Sequence, residues 1–159
     1  MRIGHGFDAH RFCEGDAVVI GGVRIPHDRG LAAHSDGDVL IHAICDALFG
    51  AMGEGDIGRH FPDSDPAYRG IDSILLLREV MARVQVAGYR LGNLDATVIA
   101  QAPRLSPYIG AMRARMGEVM AATSAQINIK ATTTEKMGHT GRGEGIDAHA
   151  VVLLLSADA

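Results

Sequence analysis

The chain has no tryptophan, two cysteines, three tyrosines and four phenylalanines in 159 residues. Each shortage removes a class of explanation. Cys13 and Cys45 are too few and too isolated for a disulfide framework or a thiolate metal knuckle, and they suit a reduced cytoplasmic setting as packing or incidental residues. Fifteen basic against nineteen acidic side chains give a formal charge of -4. With no basic tail and little aromatic interleaving, that balance argues against a nucleic-acid partner while leaving room for a nucleotide-sized anion. No run reaches the length of a membrane span, and Met1 to Gly6 lacks a signal-type apolar core. A soluble, cytoplasmic protein without a membrane partner is expected.

What is abundant points to chemistry instead. Eight histidines and twenty glycines mark a chain that uses polar rings freely and lets backbone turn sharply or approach ligands. A hydrophobic fraction of 47% is enough to fill the core of a single domain over residues 1–159. The stretch Gly4-His5-Gly6-Phe7-Asp8-Ala9-His10 reads as a strand over about 2–12, and the period of two puts Asp8 and His10 on one face. A carboxylate and an imidazole so placed are two ligands of a metal site. His42, on a helix over about 38–49, is the best third.

Alternating and periodic apolar residues give the remaining elements. Residues 17–20 and 23–26 form a hairpin about Gly21-Gly22. On the 38–49 helix, Asp38, His42 and Asp46 share one stripe, which either faces solvent or lines a site. Residues 54–66 are dense in Gly, Pro and Asp and read as a lid or binding loop. Helices follow over about 72–87 and 105–122, the second with an apolar face of Ile109, Met112, Met116, Val119 and Met120. Strands are expected over about 91–101, 125–130 and 146–156. The order describes a two-layer α+β domain with its helices on one face of the sheet. The apolar runs at 91–100 and 151–155 suggest strands buried on both faces, so a second subunit is expected to cover the other side.

Several motifs in fixed order carry a family likeness: Arg2 to His10, Leu31 to Val39, Gly55-Asp56-Ile57-Gly58, Phe61-Pro62-Asp63, and Lys130 to Lys136 followed by Gly141-Arg142-Gly143-Glu144-Gly145. Together they resemble the 2-C-methyl-D-erythritol 2,4-cyclodiphosphate synthases of the non-mevalonate isoprenoid pathway, from the first residue to the last strand. The resemblance implies a homotrimer of ferredoxin-like subunits, with mixed or antiparallel sheets packed around a threefold axis and active sites at the subunit interfaces. The implied reaction is a phosphorus-oxygen lyase step, in which 4-diphosphocytidyl-2-C-methyl-D-erythritol 2-phosphate cyclises and releases CMP. By the same likeness Asp8, His10 and His42 match zinc ligands, and Glu135 matches the ligand of a Mg²⁺ or Mn²⁺ ion among the substrate phosphates. His34 and Thr133 match catalytic residues that orient phosphates.

The same resemblance supplies the substrate-binding set. His34 and Ser35 lie near the phosphates with Asp8 and His10; Asp56, Ile57, Gly58, Phe61, Pro62, Asp63, Ser64 and Asp65 hold the methylerythritol phosphate. Ala100, Gln101, Ala102, Pro103, Arg104, Leu105, Ser106, Ala131 and Thr132 form the cytidine pocket; Thr133, Thr134, Glu135, His139 and Arg142 complete the site. Arg142 and Glu144 match residues near the trimer axis, where some relatives hold an isoprenoid diphosphate in a central cavity, and Phe7 is expected to face the trimer interior. Either Asp38 or Asp46, or a backbone carbonyl, is expected to hold the far nitrogen of His42. Two other readings stay open: a metal-dependent phosphohydrolase acting with water, and a non-catalytic binder of isoprenoid diphosphates.

Overall fold

Glycines at positions 4 and 6 leave strand β1 (Arg2–Cys13) without side chains where helix α1 (Val39–Met52) lies on it. A Cβ at Gly4 would stand 1.9 Å from the Ala47 carbonyl oxygen, and one at Gly6 1.9 Å from that of Ala43. Bare backbone is what allows so close an approach. The structure, a computed structural model, describes residues 1–62 and 64–157.

Helix α1 is hydrophobic nearly all round because it is enclosed by β1, by β7 (Gly145–Ser156) and by α3 (Ser73–Val86). Asp38 caps its start, accepting from the Ile41 N–H at 3.0 Å. The same carboxylate accepts from Gly21 at 2.9 Å and Gly22 at 2.6 Å. Those glycines form the turn between β2 (Ala17–Ile20) and β3 (Val23–Pro26), and their φ values of 61° and 71° are what a two-residue primed turn demands. One buried side chain thus fastens the hairpin to the helix. Burial raises its pKa, with the Gly22 and Ile41 N–H groups opposing.

The main sheet runs β4-β1-β7-β5-β6, with β4 at Gly30–Leu31, β5 at Tyr89–Ile99 and β6 at Ile127–Thr132. β7 is antiparallel to both β1 and β5, while β5 and β6 are parallel across helix α4 (Ile109–Met120). The α+β architecture expected from the sequence, a mixed sheet with helices on one face, is therefore what the chain adopts. Met112, Met116 and Met120 of α4 fill the core, while Ile109 and Val119 are half-buried beside it. Two short helices, α2 (Ile57–His60) and α5 (Gly138–Gly141), shape stretches that read as irregular. Among the described residues, no helix is long and apolar enough to cross a membrane.

Within one chain the apolar runs at 91–100 and 151–155 are covered on one face and partly open on the other. Val152 and Leu154 point to the helices and are buried, but Leu153 and Leu155 are half-buried and Val151 is 38% exposed. Ile3 at 70% and Phe7 at 47% extend this open face along β1. Phe7 does point away from Asp8, as the strand period requires, and its ring lies 4.8 Å from that of His149. The apolar runs have no second layer of the same chain to cover them.

Gly6→Ala is expected to cost about 3 kcal/mol, because the atoms its Cβ meets are helix backbone rather than side chain. Urea denaturation measures this, and a midpoint equal to that of the wild type would show that the close contact carries no weight.

Candidate metal centre and active site

Past Gly6, the helix-facing positions of β1 are Asp8 and His10, and α1 brings His42 over them from its first turn. The Asp8 Oδ2 atom is 2.7 Å from His10 Nε2 and 3.0 Å from His42 Nδ1, and the two nitrogens are 3.1 Å apart. Among the described residues this is the one group of three such donors gathered closely enough to hold a metal ion. Tetrahedral ligands about 2.05 Å from zinc lie roughly 3.3 Å from one another, so the three donors need to spread only slightly to accept one ion. The nitrogen and oxygen donor set suits zinc, and the protein supplies three ligands, leaving a fourth position for an oxygen of a bound molecule.

The electrostatics of the triad favour a cation. Burial pushes the Asp8 carboxyl up, but the hydrogen bonds and charges of His10 and His42 outweigh it and hold its pKa well below the usual carboxylate range. Burial likewise opposes a charge on His10. The hydrogen bond and charge of Asp8, with the Ala32 carbonyl, prevail and raise the His10 pKa above the ordinary histidine value. His10 Nδ1 donates to that carbonyl at 3.0 Å, so Nε2 is the nitrogen offered to a metal.

The triad opens on a cavity of about 350 Å³ whose wall includes His34, Ser35, Asp46, Ile57, Gly58 and Phe61. His34 Nε2 is buried beside this cavity without a hydrogen-bond partner. Asp56 caps α2 through the Arg59 N–H, and Asp65 caps the turn at Pro66–Tyr68 through the Ala67 N–H. Pro62 is half-buried and Ser64 exposed; neither lines the cavity. Asp63 lies outside the described residues.

A second cavity, of about 260 Å³, is lined by Ala100, Gln101, Pro103, Arg104, Leu105, Ser106, Ala131, Thr132 and Thr133. Ala102 is in the same turn but off its wall. Arg104 Nε donates to Ser106 Oγ at 3.0 Å. Beyond it Thr133 Oγ1 donates to Glu135 Oε1 at 3.0 Å, and Glu135 and Lys136 take left-handed backbone with φ of 53° and 67°. Thr134 turns inward to Thr140 at 3.1 Å. His139 Nε2 lies 2.8 Å from Asp147 Oδ1, and Arg142 Nε donates to Glu144 at 2.6 Å.

One chain does not bring the two cavities together. Register runs Ala9 to Asp147 to Ile99 to Thr132 in a single row across β1, β7, β5 and β6. Three strand spacings of about 4.8 Å put β1 and β6 roughly 14 Å apart at the same end of the sheet.

The far nitrogen of His42 contradicts the expectation for Asp38 and Asp46. Its neighbours are Ser73 Oγ at 2.9 Å and Ser35 Oγ at 3.1 Å. Asp38 is spent on the hairpin turn, and Asp46 accepts from the Ile57 N–H at 2.7 Å. Burial, aided by the charges of Asp56 and Asp8, raises the Asp46 pKa. Ser73 and its partner Asp36 went unrecognised as site residues because Ser73 opens α3, thirty-one positions from His42. A hydroxyl at the first turn of a helix signals only capping in sequence.

The chain matches the YgbB family over residues 1–155. It is 62% identical over 157 residues to the 2-C-methyl-D-erythritol 2,4-cyclodiphosphate synthase of Pseudomonas putida (strain W619), covering 99% of this chain and 100% of that protein. A solved structure of a cyclodiphosphate synthase in its CDP-bound form superposes with a TM-score of 0.89 at 38% identity, over 97% of this chain and 100% of the other. The bifunctional IspDF of Campylobacter jejuni aligns with a TM-score of 0.94 at 40% identity, over 99% of this chain but 43% of that longer one. Sequence and fold agree over nearly the whole length, and the chain belongs to the YgbB family of 2-C-methyl-D-erythritol 2,4-cyclodiphosphate synthases.

Proposed function

We infer that the chain converts 4-diphosphocytidyl-2-C-methyl-D-erythritol 2-phosphate into 2-C-methyl-D-erythritol 2,4-cyclodiphosphate and CMP. The observation that carries this reading is the Asp8, His10 and His42 triad opening on a cavity beside the unpartnered His34 nitrogen, in a chain of this family. An oxygen of the 2-phosphate attacks the β-phosphorus, the bond from that phosphorus to the bridging oxygen breaks, and the bridging oxygen leaves with CMP. The nucleophile is already ionised, so the protein has no base to supply. Its task is to hold anionic groups together and in line.

His34 Nε2 and the Thr133 hydroxyl act as hydrogen-bonding groups to phosphate oxygens, and Ser35 lies beside His34 on the same wall. Ile57, Gly58 and Phe61, with the neighbouring residues 56 and 62–65, receive the methylerythritol phosphate. Residues 100–106, 131 and 132 receive the cytidine, a reading supported by the CDP-bound relative. When bound, zinc at Asp8, His10 and His42 and magnesium or manganese at Glu135 supply Lewis acidity and neutralise charge on the phosphates.

Because the triad and Thr133 lie three strand spacings apart across one sheet, each site is completed by a second copy, the β1 side of one subunit meeting the β6 side of its neighbour. The open face with Ile3, Phe7 and Val151 supplies the contact for a homotrimer. The domain over residues 1–159 acts as one unit of that assembly.

Incubation with the cytidyl substrate and Mg²⁺ is expected to release CMP and the cyclic product in equal amounts, and chelation to stop both. A linear phosphate in place of the cyclic one would make the protein a phosphohydrolase instead. His42→Ala is expected to lose zinc retention and turnover together; retention of both, by metal analysis and CMP release, would overturn the ligand assignment. Mixing separately inactive His42→Ala and Glu135→Gln subunits is expected to restore part of the activity after unfolding and reassembly. No recovery in properly reassembled oligomers would place the whole site within one chain.

Metal affinity is expected to rise with pH. The raised pKa of His10 means that its pairing with Asp8 stabilises the metal-free chain fully below the ordinary histidine value, about 6.5, and that this contribution fades as pH climbs through the folded value. The same proton competes with zinc for Nε2. The increase in melting temperature on adding zinc is therefore larger at alkaline than at mildly acidic pH; an increase that does not change with pH would contradict the competition.

A further inference from the structure

We propose that Ser73 and Asp36 are positioning residues that keep a hydrogen on His42 Nε2 and so make Nδ1 the nitrogen this ring offers a metal. The proposal rests on the metal-site reading above. Counting donors gives the direction of each bond. The Asp36 carboxylate can only accept: Oδ1 takes the Asp38 N–H at 3.1 Å and the Ser73 hydroxyl at 2.5 Å, and Oδ2 takes the Ser73 N–H at 3.0 Å. Ser73 has one hydroxyl hydrogen, and that short bond commits it to Asp36. Its oxygen, 2.9 Å from His42 Nε2, is then left as an acceptor.

A bare Nε2 at that distance would set two lone pairs against each other beside a serine that is fully buried, where no water relieves the clash. Nε2 therefore carries the hydrogen. Nδ1, 3.0 Å from Asp8 Oδ2 and 3.1 Å from His10 Nε2, is then the nitrogen whose lone pair a cation among the three donors would take. Ser35 Oγ, 3.1 Å from Nε2, accepts from the Gly37 N–H at 3.3 Å and tolerates this arrangement.

Without the Ser73 hydroxyl, the ring gains an alternative. The Ser35 hydroxyl donates to Nε2, and Nδ1–H donates to Asp8, which blocks the nitrogen that faces the metal. Ser73 removes that competitor in advance. Asp36 also ties the start of α3 to the loop bearing His34 and Ser35, through the Ser73 N–H and through its own N–H to the Ile71 carbonyl at 3.1 Å. One carboxylate thus orients a metal ligand and anchors the residues beside it.

Long-range proton–nitrogen correlation spectra of ¹⁵N-labelled, chelator-treated protein read the tautomer directly, and competition against a chromophoric chelator reads zinc affinity. Wild-type His42 is expected to carry a hydrogen on Nε2. Ser73→Ala is expected to shift it to Nδ1 and to weaken zinc binding about 10- to 100-fold, while Ser73→Thr, which keeps the hydroxyl, restores the tautomer. A wild-type ring without a hydrogen on Nε2, or a folded Ser73→Ala protein with unaltered zinc affinity, would overturn the proposal. Should Ser73→Ala fail to fold, the wild-type spectrum decides alone. A wild type that binds no zinc would instead defeat the metal-site reading, which the spectrum does not test.

Discussion

The backbone-to-backbone contact of α1 with β1 at Gly4 and Gly6 sets the geometry on which the site depends. A helix standing off the strand by the width of even one methyl group would carry His42 away from Asp8 and His10, whose donor atoms lie within hydrogen-bond distance of its Nδ1. The same contact explains the composition of α1. Enclosed on nearly all sides, it is apolar except on the stripe that reaches the cavity, where His42 and Asp46 follow one another by a turn. That stripe could have been a solvent face on sequence alone. Burial of the rest of the helix makes it the only face on which polar side chains are tolerated.

A chain of net charge -4 that handles a polyanion must keep its carboxylates from repelling the ligand. Most of those near the cavity are turned to backbone N–H groups. Asp36 serves Asp38 and Ser73, Asp38 serves Gly21, Gly22 and Ile41, Asp46 serves Ile57, and Asp56 serves Arg59. These bonds fasten the hairpin, the start of α3 and the short helix α2 to one another or to α1. Asp8 is different: its partners are two imidazoles that can share it with a cation. Structural acids and the acid of the metal site are thus separated by what donates to them.

What could be read from the sequence was local. The hairpin about Gly21-Gly22, the starts of the helices near residues 38 and 72 and the strand bearing Asp8 and His10 depend on neighbours within a few residues, and their positions agree with the structure. The triad was legible because it needs only a strand period of two and one helix. The tie between His42 and Ser73 was not, since it depends on how α3 packs against α1. Nor was the left-handed backbone at Glu135 and Lys136, which no glycine announces. The apolar runs of β5 and β7 announced a need for cover on both faces, but a run reports affinity for cover, not whose atoms supply it.

That last distinction joins assembly to chemistry in the proposed trimer. β1, β5 and β6 run in one direction, so the ends of β1 and β6 that carry the triad and Thr133 emerge at the same end of the sheet, separated by its width. No side-chain motion closes roughly 14 Å, and moving β1 or β6 would break the ladder between them. In that trimer a neighbouring copy would close the gap without strain by presenting its β6 side to the β1 side of the first. The open apolar face is the reverse side of the strand that bears two of the metal ligands: Phe7 and Ala9 alternate with Asp8 and His10 along β1. Any shift of β1 against a partner therefore moves the ligands as well, so packing at the open face and the geometry of the triad are set by the same few residues.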